Sequence, residues 1–242
     1  MTRLLVLQPD HDDPPARLGE WLTAAGAVLD VVKPYEEPVP TSLDGYQGVV
    51  CLGGAMGALD DAEHPWLVDV RKLLSHAVAK RVPLLAICLG AQLLAAATGG
   101  QVRRSPHGRD VGVRLVAKRD AASGDPLFDE LPWTPDVLQF HEDEVGFLPP
   151  SALLLASSPK CANEAFRVGD RAYGLQFHIE TTPELVLRWA AGYPELAGLR
   201  ALDQDRLDQG HEDIREVWQP FAERFVRLAA GELTIHRSLP LV

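Results

Sequence analysis

Short apolar runs alternate with helical patterns along the first half of the chain. The apolar runs predict buried strands at residues 4–7, 28–32, 48–52 and 83–87. Apolar positions at helical spacing predict helices at about 14–26, 66–80 and 90–98. Strands joined by helical crossovers of this length pair in parallel, and helices cover both faces of the sheet. The pattern therefore predicts an α/β fold, a three-layer sandwich with a mostly parallel central sheet.

The second half of the chain has shorter apolar runs separated by glycine, proline or aspartate turns. These runs predict partly antiparallel strands at 111–118, 137–140, 153–156, 165–168 and 173–178, and a helix follows at 183–191. A later apolar stripe at helical spacing consists of Ile214, Val217, Trp218, Phe221, Phe225 and Leu228. We expect this stripe to pack on the main body, and a partner interface is the alternative. The prediction is one domain over 1–242, with a core at about 1–192 and a helical C-terminal extension at about 193–242.

The charge balance narrows the classes of partner. Lys and Arg number 23 against 34 Asp and Glu in 242 residues, which gives a formal charge of −11. This surplus repels phosphate backbones and anionic lipid headgroups, so we expect no nucleic acid and no membrane as partners. The longest apolar stretch, residues 82–97, is interrupted by Pro83, Gly90 and Gln92 and is not expected to span a bilayer.

The cysteines indicate a compartment but no metal. Three cysteines cannot all pair with one another, and the sequence has no CxxC motif or Cys/His cluster typical of a metal site. Unpaired thiols are ordinary in intracellular chains, and the apolar run after Met1 is too short for a signal peptide. We therefore expect a cytoplasmic protein without a bound metal.

One cysteine stands where a predicted strand ends and a helix begins. Cys88 follows the apolar run that ends at Ile87, and the small residues Ala86 and Gly90 lie two positions to either side. This is the pattern of a nucleophile elbow, a sharp turn that tolerates only small neighbours. The helix N-terminus would lower the pKa of the thiol and aim the Leu89 N–H at a developing oxyanion.

The alternative for any buried cysteine is a structural role, because free cysteine is a common core residue. Cys51 lies inside a plain buried strand, and Cys161 follows Pro159 and Lys160 in a turn. Neither has the frame of small residues. The sequence therefore favours Cys88 as the nucleophile.

A nucleophilic thiol needs a base, and the base needs a group that orients it. Apolar and polar residues alternate from Tyr173 to Glu180, which places Gln176, His178 and Glu180 on one face of a strand. His178 and Glu180 can then meet, and with Cys88 they complete a Cys–His–Glu set. A His–Glu pair alone more often marks an ordinary surface.

A glycine-rich loop follows the third predicted strand. The segment Leu52-Gly53-Gly54-Ala55-Met56-Gly57 can aim a backbone N–H at an oxyanion, although a plain turn is the alternative. The phosphate-binding patterns GxxxxGK[ST] and GxGxxG are both absent, so no nucleotide cofactor is expected.

These motifs, taken in order, closely resemble the class I (triad) glutamine amidotransferase family, and in particular stand-alone proteins similar to the glutaminase domain of GMP synthase. Further matching segments are residues 64–67, 87–95, 99–102, 110–112, 141–143, 163–166 and 174–180. The resemblance implies a flavodoxin-like sheet. It also implies glutamine hydrolysis to glutamate and ammonia through a γ-glutamyl thioester, without a cofactor.

The resemblance also implies roles for individual residues. Cys88 would be the nucleophile, His178 the proton relay and Glu180 the group that orients it. The backbone N–H groups of Gly54 and Leu89 would form the oxyanion hole. The implied substrate contacts are Gly53, Gln92 and His141, and a structural histidine is an equal alternative for His141.

The sequence leaves the partner and the substrate open. Only 62 residues follow Glu180, too few for a synthetase domain, so one reading is a glutaminase subunit that serves a separate synthetase. A second reading is a stand-alone hydrolase of γ-glutamyl amides or peptides, and a third is a catalytically silent regulatory homologue. The segment Ser105–Arg109 departs from the common pattern, and we expect His107 and Arg109 to shape specificity.

Overall fold

Eight strands form the central sheet of the structure, a computed structural model that describes residues 1–233. The strands of the molecule are β1 (Thr2–Leu7), β2 (Ala27–Val32), β3 (Gly48–Cys51), β4 (Leu84–Ile87), β5 (Gln101–Arg104), β6 (Asp110–Leu115), β7 (Ala117–Lys118), β8 (Asp136–His141), β9 (Asp143–Phe147), β10 (Ala152–Ser157), β11 (Ala165–Val168) and β12 (Ala172–Leu175). The α-helices are α1 (Ala16–Ala24), α2 (Trp66–Ala79), α3 (Leu89–Ala97), α4 (Pro183–Ala191) and α5 (Gln204–Ala229).

The order of strands in the central sheet is β2-β1-β3-β4-β12-β11-β10-β7. The first five strands of this order pair in parallel, and the last three pair antiparallel. The predicted mostly parallel sheet with antiparallel strands from the second half is therefore confirmed. β4 and β12 are neighbours, so their carboxyl ends meet at one edge of the sheet.

Two hydrophobic clusters show that helices cover both faces of the sheet. In β1, Leu4 and Val6 belong to the cluster that also holds the buried residues of α1 and α5. The alternate residues Leu5 and Leu7 belong to the cluster formed with α2 and α3. Successive side chains of a strand point to opposite faces, which explains this division. The predicted three-layer sandwich is confirmed.

Two small sheets stand apart from the central one, and here the predicted strands need correction. The predicted strand 111–118 is two strands, since Val116 donates its N–H to Pro135 O at 3.1 Å and interrupts the ladder. β6 pairs with β8 in a separate antiparallel sheet, whereas β7 lies at the edge of the central sheet. β5 and β9 form a second small sheet that the apolar pattern did not predict.

The predicted strand 173–178 ends early, at Leu175. The N–H of Gln176 donates to Glu164 O at 2.7 Å, and His178 joins Leu138 in an isolated antiparallel bridge. The chain therefore leaves the central sheet just before His178. This departure places His178 beyond the carboxyl edge of β4.

The apolar stripe of α5 packs on the main body. Ile214, Trp218, Phe221, Phe225 and Leu228 are buried among residues of the central sheet and α1. Residues 234–242 of the predicted extension lie outside the described residues. No helix within residues 1–233 combines the length and the apolar character needed to cross a membrane.

Candidate active site

Cys88 occupies a strained turn between β4 and α3. Its φ of 50° and ψ of −109° lie in a region that residues with a Cβ rarely adopt. The backbone holds this conformation because the Cys88 N–H donates to Leu175 O of the neighbouring β12 at 2.7 Å. The turn leaves the side chain 6% exposed at the N-terminus of α3.

The small residue after Cys88 is required by close packing. A Cβ on Gly90 would lie 2.2 Å from the Cys51 carbonyl oxygen and 3.0 Å from the Leu52 oxygen. Both contacts are with backbone at the end of β3, which cannot move aside cheaply. Gly90 therefore lets α3 begin directly against β3, as the elbow pattern predicts.

The other two cysteines have surroundings that suppress ionisation. Burial raises the pKa of Cys51 to about 12. Burial also raises the pKa of Cys161, which is 1% exposed. A thiol held neutral is a poor nucleophile. None of the three cysteines forms a disulfide.

His178 and Glu180 form a buried pair. Their side-chain atoms Nδ1 and Oε1 are 2.5 Å apart, and the second carboxylate oxygen accepts from the Ile179 N–H at 2.9 Å. Because a carboxylate only accepts, His178 Nδ1 carries the proton. The remaining ring nitrogen, Nε2, is buried and has no hydrogen-bond partner among the described residues.

Two neighbouring charges keep His178 protonated. Burial by itself would lower the pKa of His178, but the charges of Glu180 and Cys88 outweigh it and raise the pKa well above its ordinary value. Cys88 therefore lies within electrostatic reach of the imidazole, as the predicted Cys–His–Glu set requires. The Gln176 amide nitrogen also lies near the thiol, 4.0 Å from the Cys88 sulfur.

The glycine loop after β3 and the first residue of α3 each carry one of the two predicted oxyanion N–H groups. Within residues 1–233, the N–H groups of Gly54 and Leu89 have no hydrogen-bond acceptor. A Cβ on Gly54 would lie 2.9 Å from the Leu89 side chain, so the two predicted oxyanion residues are adjacent. Gly53 lies deeper: its Cβ would meet Asp13 Oδ2 at 2.1 Å and the His178 ring at 3.2 Å. Its role as a substrate contact stays a prediction.

Gln92 and His141 both line the site and contact the same backbone oxygen. The Gln92 side-chain nitrogen donates to Asp143 O at 3.0 Å, and His141 Nδ1 lies 3.0 Å from the same oxygen. Burial lowers the pKa of His141, so its ring is neutral and carries its proton on Nδ1. Its Nε2 is then a buried acceptor with no partner among the described residues.

Asp13 is a site residue that the sequence analysis missed. It is 4% exposed and lies beside Gly53, and its Oδ1 has no hydrogen-bond partner in the described part of the chain. Burial, followed by the charge of Glu180, raises the pKa of Asp13 well above its ordinary value. Oxygen or nitrogen atoms of Asp13, His178 and Glu180 lie within 4.8 Å of one another. Three such groups could coordinate a cation, but His178 and Glu180 already bond to each other.

Cys88 and His178 open into a cleft of about 670 Å³, and Gln92 and His141 line it as well. A volume of this order accommodates a ligand larger than a single amino acid. Arg109 lines the cleft, whereas His107, its partner in the predicted specificity segment, is exposed outside it. The cleft therefore gathers a thiol, a histidine and several charged groups at the carboxyl ends of parallel strands, where α/β sheets bind ligands.

The fold and the cleft place the protein among α/β proteins that bind ligands at the carboxyl ends of parallel strands, and comparisons with known proteins define its class further. A profile described as glutamine amidotransferase class-I matches residues 20–186. The chain is 29% identical over 199 residues to gamma-glutamyl peptidase 3 of Arabidopsis thaliana, and the match covers 78% of each protein. It is 31% identical over 151 residues to a glutamine-hydrolyzing GMP synthase of Christiangramia forsetii, covering 62% of this chain and 27% of that protein.

The structural comparison agrees with the sequence comparisons. A glutamine amidotransferase from Thermotoga maritima superposes with a TM-score of 0.82 at 28% identity, covering 94% of this chain and 97% of the other. The chain belongs to the class I glutamine amidotransferase family. The predicted resemblance and the flavodoxin-like fold are thereby confirmed.

Proposed function

We propose that the protein hydrolyses γ-glutamyl amide bonds through a thioester on Cys88. The observation that carries this proposal is the thiol on a strained turn beside the buried His178–Glu180 pair. Glutamine is the smallest substrate with the required bond. The family membership supports the general kind of reaction.

In the first half-reaction, the Cys88 thiolate attacks the γ-carbonyl carbon, and a tetrahedral oxyanion forms. The charge on His178 stabilises the thiolate, because an adjacent imidazolium lowers the energy of the ionised thiol. The C–N bond then breaks as His178 Nε2 gives its proton to the departing nitrogen. The amine leaves, and the γ-glutamyl group remains on sulfur.

In the second half-reaction, water replaces the amine. His178, now neutral, accepts a proton from the water as its oxygen attacks the thioester carbon. The C–S bond breaks, glutamate leaves, and the imidazolium–thiolate pair is restored. Glu180 stays ionised throughout and holds the imidazole through Nδ1.

The oxyanion of both steps needs hydrogen-bond donors that are already in place. The N–H groups of Gly54 and Leu89 are the proposed donors, since no acceptor among residues 1–233 engages them. Leu89 begins α3, so the positive end of the helix faces the same oxygen. Donors of this kind contribute several kcal/mol to the transition state, of order 3 each.

Gln92 and His141, which line the cleft, are proposed substrate contacts. The acceptor Nε2 of His141 suits the α-ammonium of a glutamyl group, because no described residue occupies it. Gln92 fixes the Asp143 carbonyl through one hydrogen bond and so shapes this wall.

A γ-glutamyl peptide or larger amide is the second candidate substrate. The cleft exceeds what glutamine needs, and gamma-glutamyl peptidase 3 matches over 78% of its own length. A separate synthetase that receives ammonia is the corresponding partner if glutamine is the substrate, because the GMP synthases are relatives. The unpaired thiols support a cytoplasmic location.

Glutamate release from glutamine and from γ-glutamyl-alanine tests the proposal. Cys88→Ala should abolish release from both, and mass spectrometry of wild-type protein trapped with acid should show a γ-glutamyl adduct on Cys88. Cys51→Ala is the matched control, because its thiol is also buried but lies outside the cleft. Equal turnover in wild type and Cys88→Ala would contradict the mechanism, and no turnover by wild type would favour the silent homologue.

A further inference from the structure

One wall of the cleft is a continuous row of aromatic rings that starts at His178. The rings of His178 and Trp189 have centroids 5.0 Å apart, and Trp189 and Phe140 have centroids 5.4 Å apart. Phe140 and Tyr193 follow at 5.9 Å. We call Trp189, Phe140 and Tyr193 the aromatic wall. The proposed mechanism does not use any of the three.

The aromatic wall is held in a fixed position. The Trp189 Nε1–H donates to Asp12 O at 2.7 Å, which ties α4 to the loop before α1. Tyr193 follows α4 and donates its backbone N–H to Ala190 O at 3.0 Å. Fixed aromatic faces lose little entropy when a planar or apolar group packs on them.

The row of rings ends at a cation. The Arg109 guanidinium lies 3.9 Å from the centroid of the Tyr193 ring and donates to Glu142 at 2.9 Å. Glu142 also pairs with Arg104, so a single carboxylate serves two arginines. Arg188 lines the cleft too and forms no ion pair within residues 1–233. The Arg109 guanidinium therefore shares its carboxylate with Arg104 and keeps N–H donors free on the cleft side.

The chemistry decides which half of the substrate meets this wall. His178 must protonate the departing nitrogen, so the leaving amine lies beside His178 in the transition state. The ring next to His178 on this side is Trp189. The body of the leaving amine therefore extends along the aromatic wall, towards Arg109.

We propose that the leaving-group subsite accepts an aromatic or other large apolar amino acid whose carboxylate binds Arg109. This inference rests on the proposed function and names its substrate class as γ-glutamyl dipeptides with an apolar C-terminal residue. The aromatic wall binds the side chain, and the guanidinium has donors left over for the carboxylate. The cleft of about 670 Å³ has room for both residues of such a dipeptide.

The test compares three amides that differ by one feature each: γ-glutamyl-phenylalanine, γ-glutamyl-alanine without the ring, and γ-glutamyl-phenethylamine without the carboxylate. Glutamine is the fourth substrate. We expect kcat/KM for γ-glutamyl-phenylalanine to exceed that for each of the other two amides about tenfold or more, as one charge-assisted or aromatic contact predicts.

Ratios of kcat/KM within one protein remove any effect of a partly folded preparation. Arg109→Gln should lower the ratio of γ-glutamyl-phenylalanine to γ-glutamyl-phenethylamine to near one. Tyr193→Leu should lower the ratio of γ-glutamyl-phenylalanine to γ-glutamyl-alanine. Arg3→Gln is the matched control, because Arg3 also lies over a tyrosine ring, at 5.0 Å, and pairs with an aspartate far from the cleft.

The outcomes separate the two proposals. Hydrolysis of all four compounds with no preference for γ-glutamyl-phenylalanine, or the same preference in Arg109→Gln, would overturn the subsite and leave the proposed function standing. Hydrolysis of none of them by the wild-type protein would overturn the proposed function and the subsite together.

Discussion

His178 is the side chain that gives and takes the proton in the proposed mechanism. Its pKa is raised because the Glu180 and Cys88 charges outweigh burial. In the proposed mechanism the imidazolium donates to the leaving nitrogen, and its raised pKa keeps it protonated to higher pH than an ordinary histidine. Activity should therefore decline only when the pH rises through this raised pKa.

Glu180→Gln should move this decline to lower pH, because the substitution removes the neighbouring charge that raises the pKa of His178. The kcat/KM at neutral pH should also fall roughly 10²–10⁴-fold, as expected for loss of an orienting carboxylate. A kcat/KM profile from pH 5 to 10 measures both effects. Glu20→Gln, an exposed carboxylate on α1, is the control, and an unmoved alkaline limb in Glu180→Gln would contradict the assignment.

Asp13 is a second buried carboxyl group close to Glu180 and His178. Asp13 and Glu180 are two buried carboxyl groups next to one imidazole, and burial, followed by the charge of Glu180, raises the pKa of Asp13 well above its ordinary value. We propose that the neutral Asp13 donates a hydrogen bond to Glu180 and holds it in place.

Asp13→Asn should keep kcat/KM within a few-fold of wild type at pH 7, because the amide is neutral and can donate like the protonated acid. Asp13→Leu should lower it roughly 10–100-fold, as expected when a donor to a charged group is lost. Circular dichroism checks that both variants fold. A dead Asp13→Asn with an intact fold would mean that the ionised carboxylate is required.

At the scale of elements, α5 reaches the segment that bears Glu180. His211 Nδ1 lies 2.7 Å from Leu207 O, so Nδ1 carries the proton and Nε2 accepts from the Thr181 hydroxyl at 3.0 Å. Arg17 links the same elements, donating its backbone N–H to Glu180 O and its guanidinium to His211 O. We propose that α5 and the α/β core form one cooperative domain, as the sequence predicts.

His211→Leu should lower the free energy of unfolding by about 1–3 kcal/mol, because it leaves the buried Thr181 hydroxyl without its acceptor. Urea unfolding followed by far-UV circular dichroism and by tryptophan fluorescence should give coincident transitions. Gln209→Leu, on the exposed face of α5, should change little. Two separate transitions in wild type would contradict a single domain.

Some elements of this fold can be predicted from the sequence, and others cannot. Buried parallel strands such as β4 are continuous apolar runs, and the Cys88 turn has a distinctive frame of small residues. The apolar pattern did not predict β5 and β9. Gln101–Arg104 and Asp143–Phe147 are mostly polar, and they lie in a small sheet that buries little apolar surface. The sequence did not predict Asp13 as a site residue, because an acidic loop normally indicates a solvated segment. Asp13 is buried only through tertiary packing against Gly53.

At the scale of the whole molecule, buried acids set how stability depends on pH. Glu164 is fully buried, accepts from Gln139 at 2.8 Å, and has its pKa raised to about 7 by burial, with Asp110 and Glu144 adding to the shift. The folded state then keeps a proton that the unfolded state has lost. Stability from this group therefore falls as pH rises from the unfolded pKa of about 4.3 to about 7.

Glu164→Gln should remove this loss while keeping the shape and the acceptor for Gln139. The free energy of unfolding of the variant minus that of wild type should increase by about 2–3 kcal/mol when the pH is raised from 5 to 8. Urea titrations of both proteins at the two pH values measure the gain. Parallel curves for the two proteins over this range would show that Glu164 is ionised in the folded state.

The strand order has a consequence for the time at which reactivity arises during synthesis. β4 and its cysteine are made early, but the turn is held by Leu175 O, and the histidine proposed to activate the thiol lies about ninety residues later in the chain. Contacts of such sequence separation form late, because the intervening chain must first be ordered. If Cys88 is the nucleophile, as proposed, a nascent chain is expected to carry an ordinary thiol until β12 inserts beside β4. The strand order therefore delays the reactivity of the thiol until β12 has paired with β4.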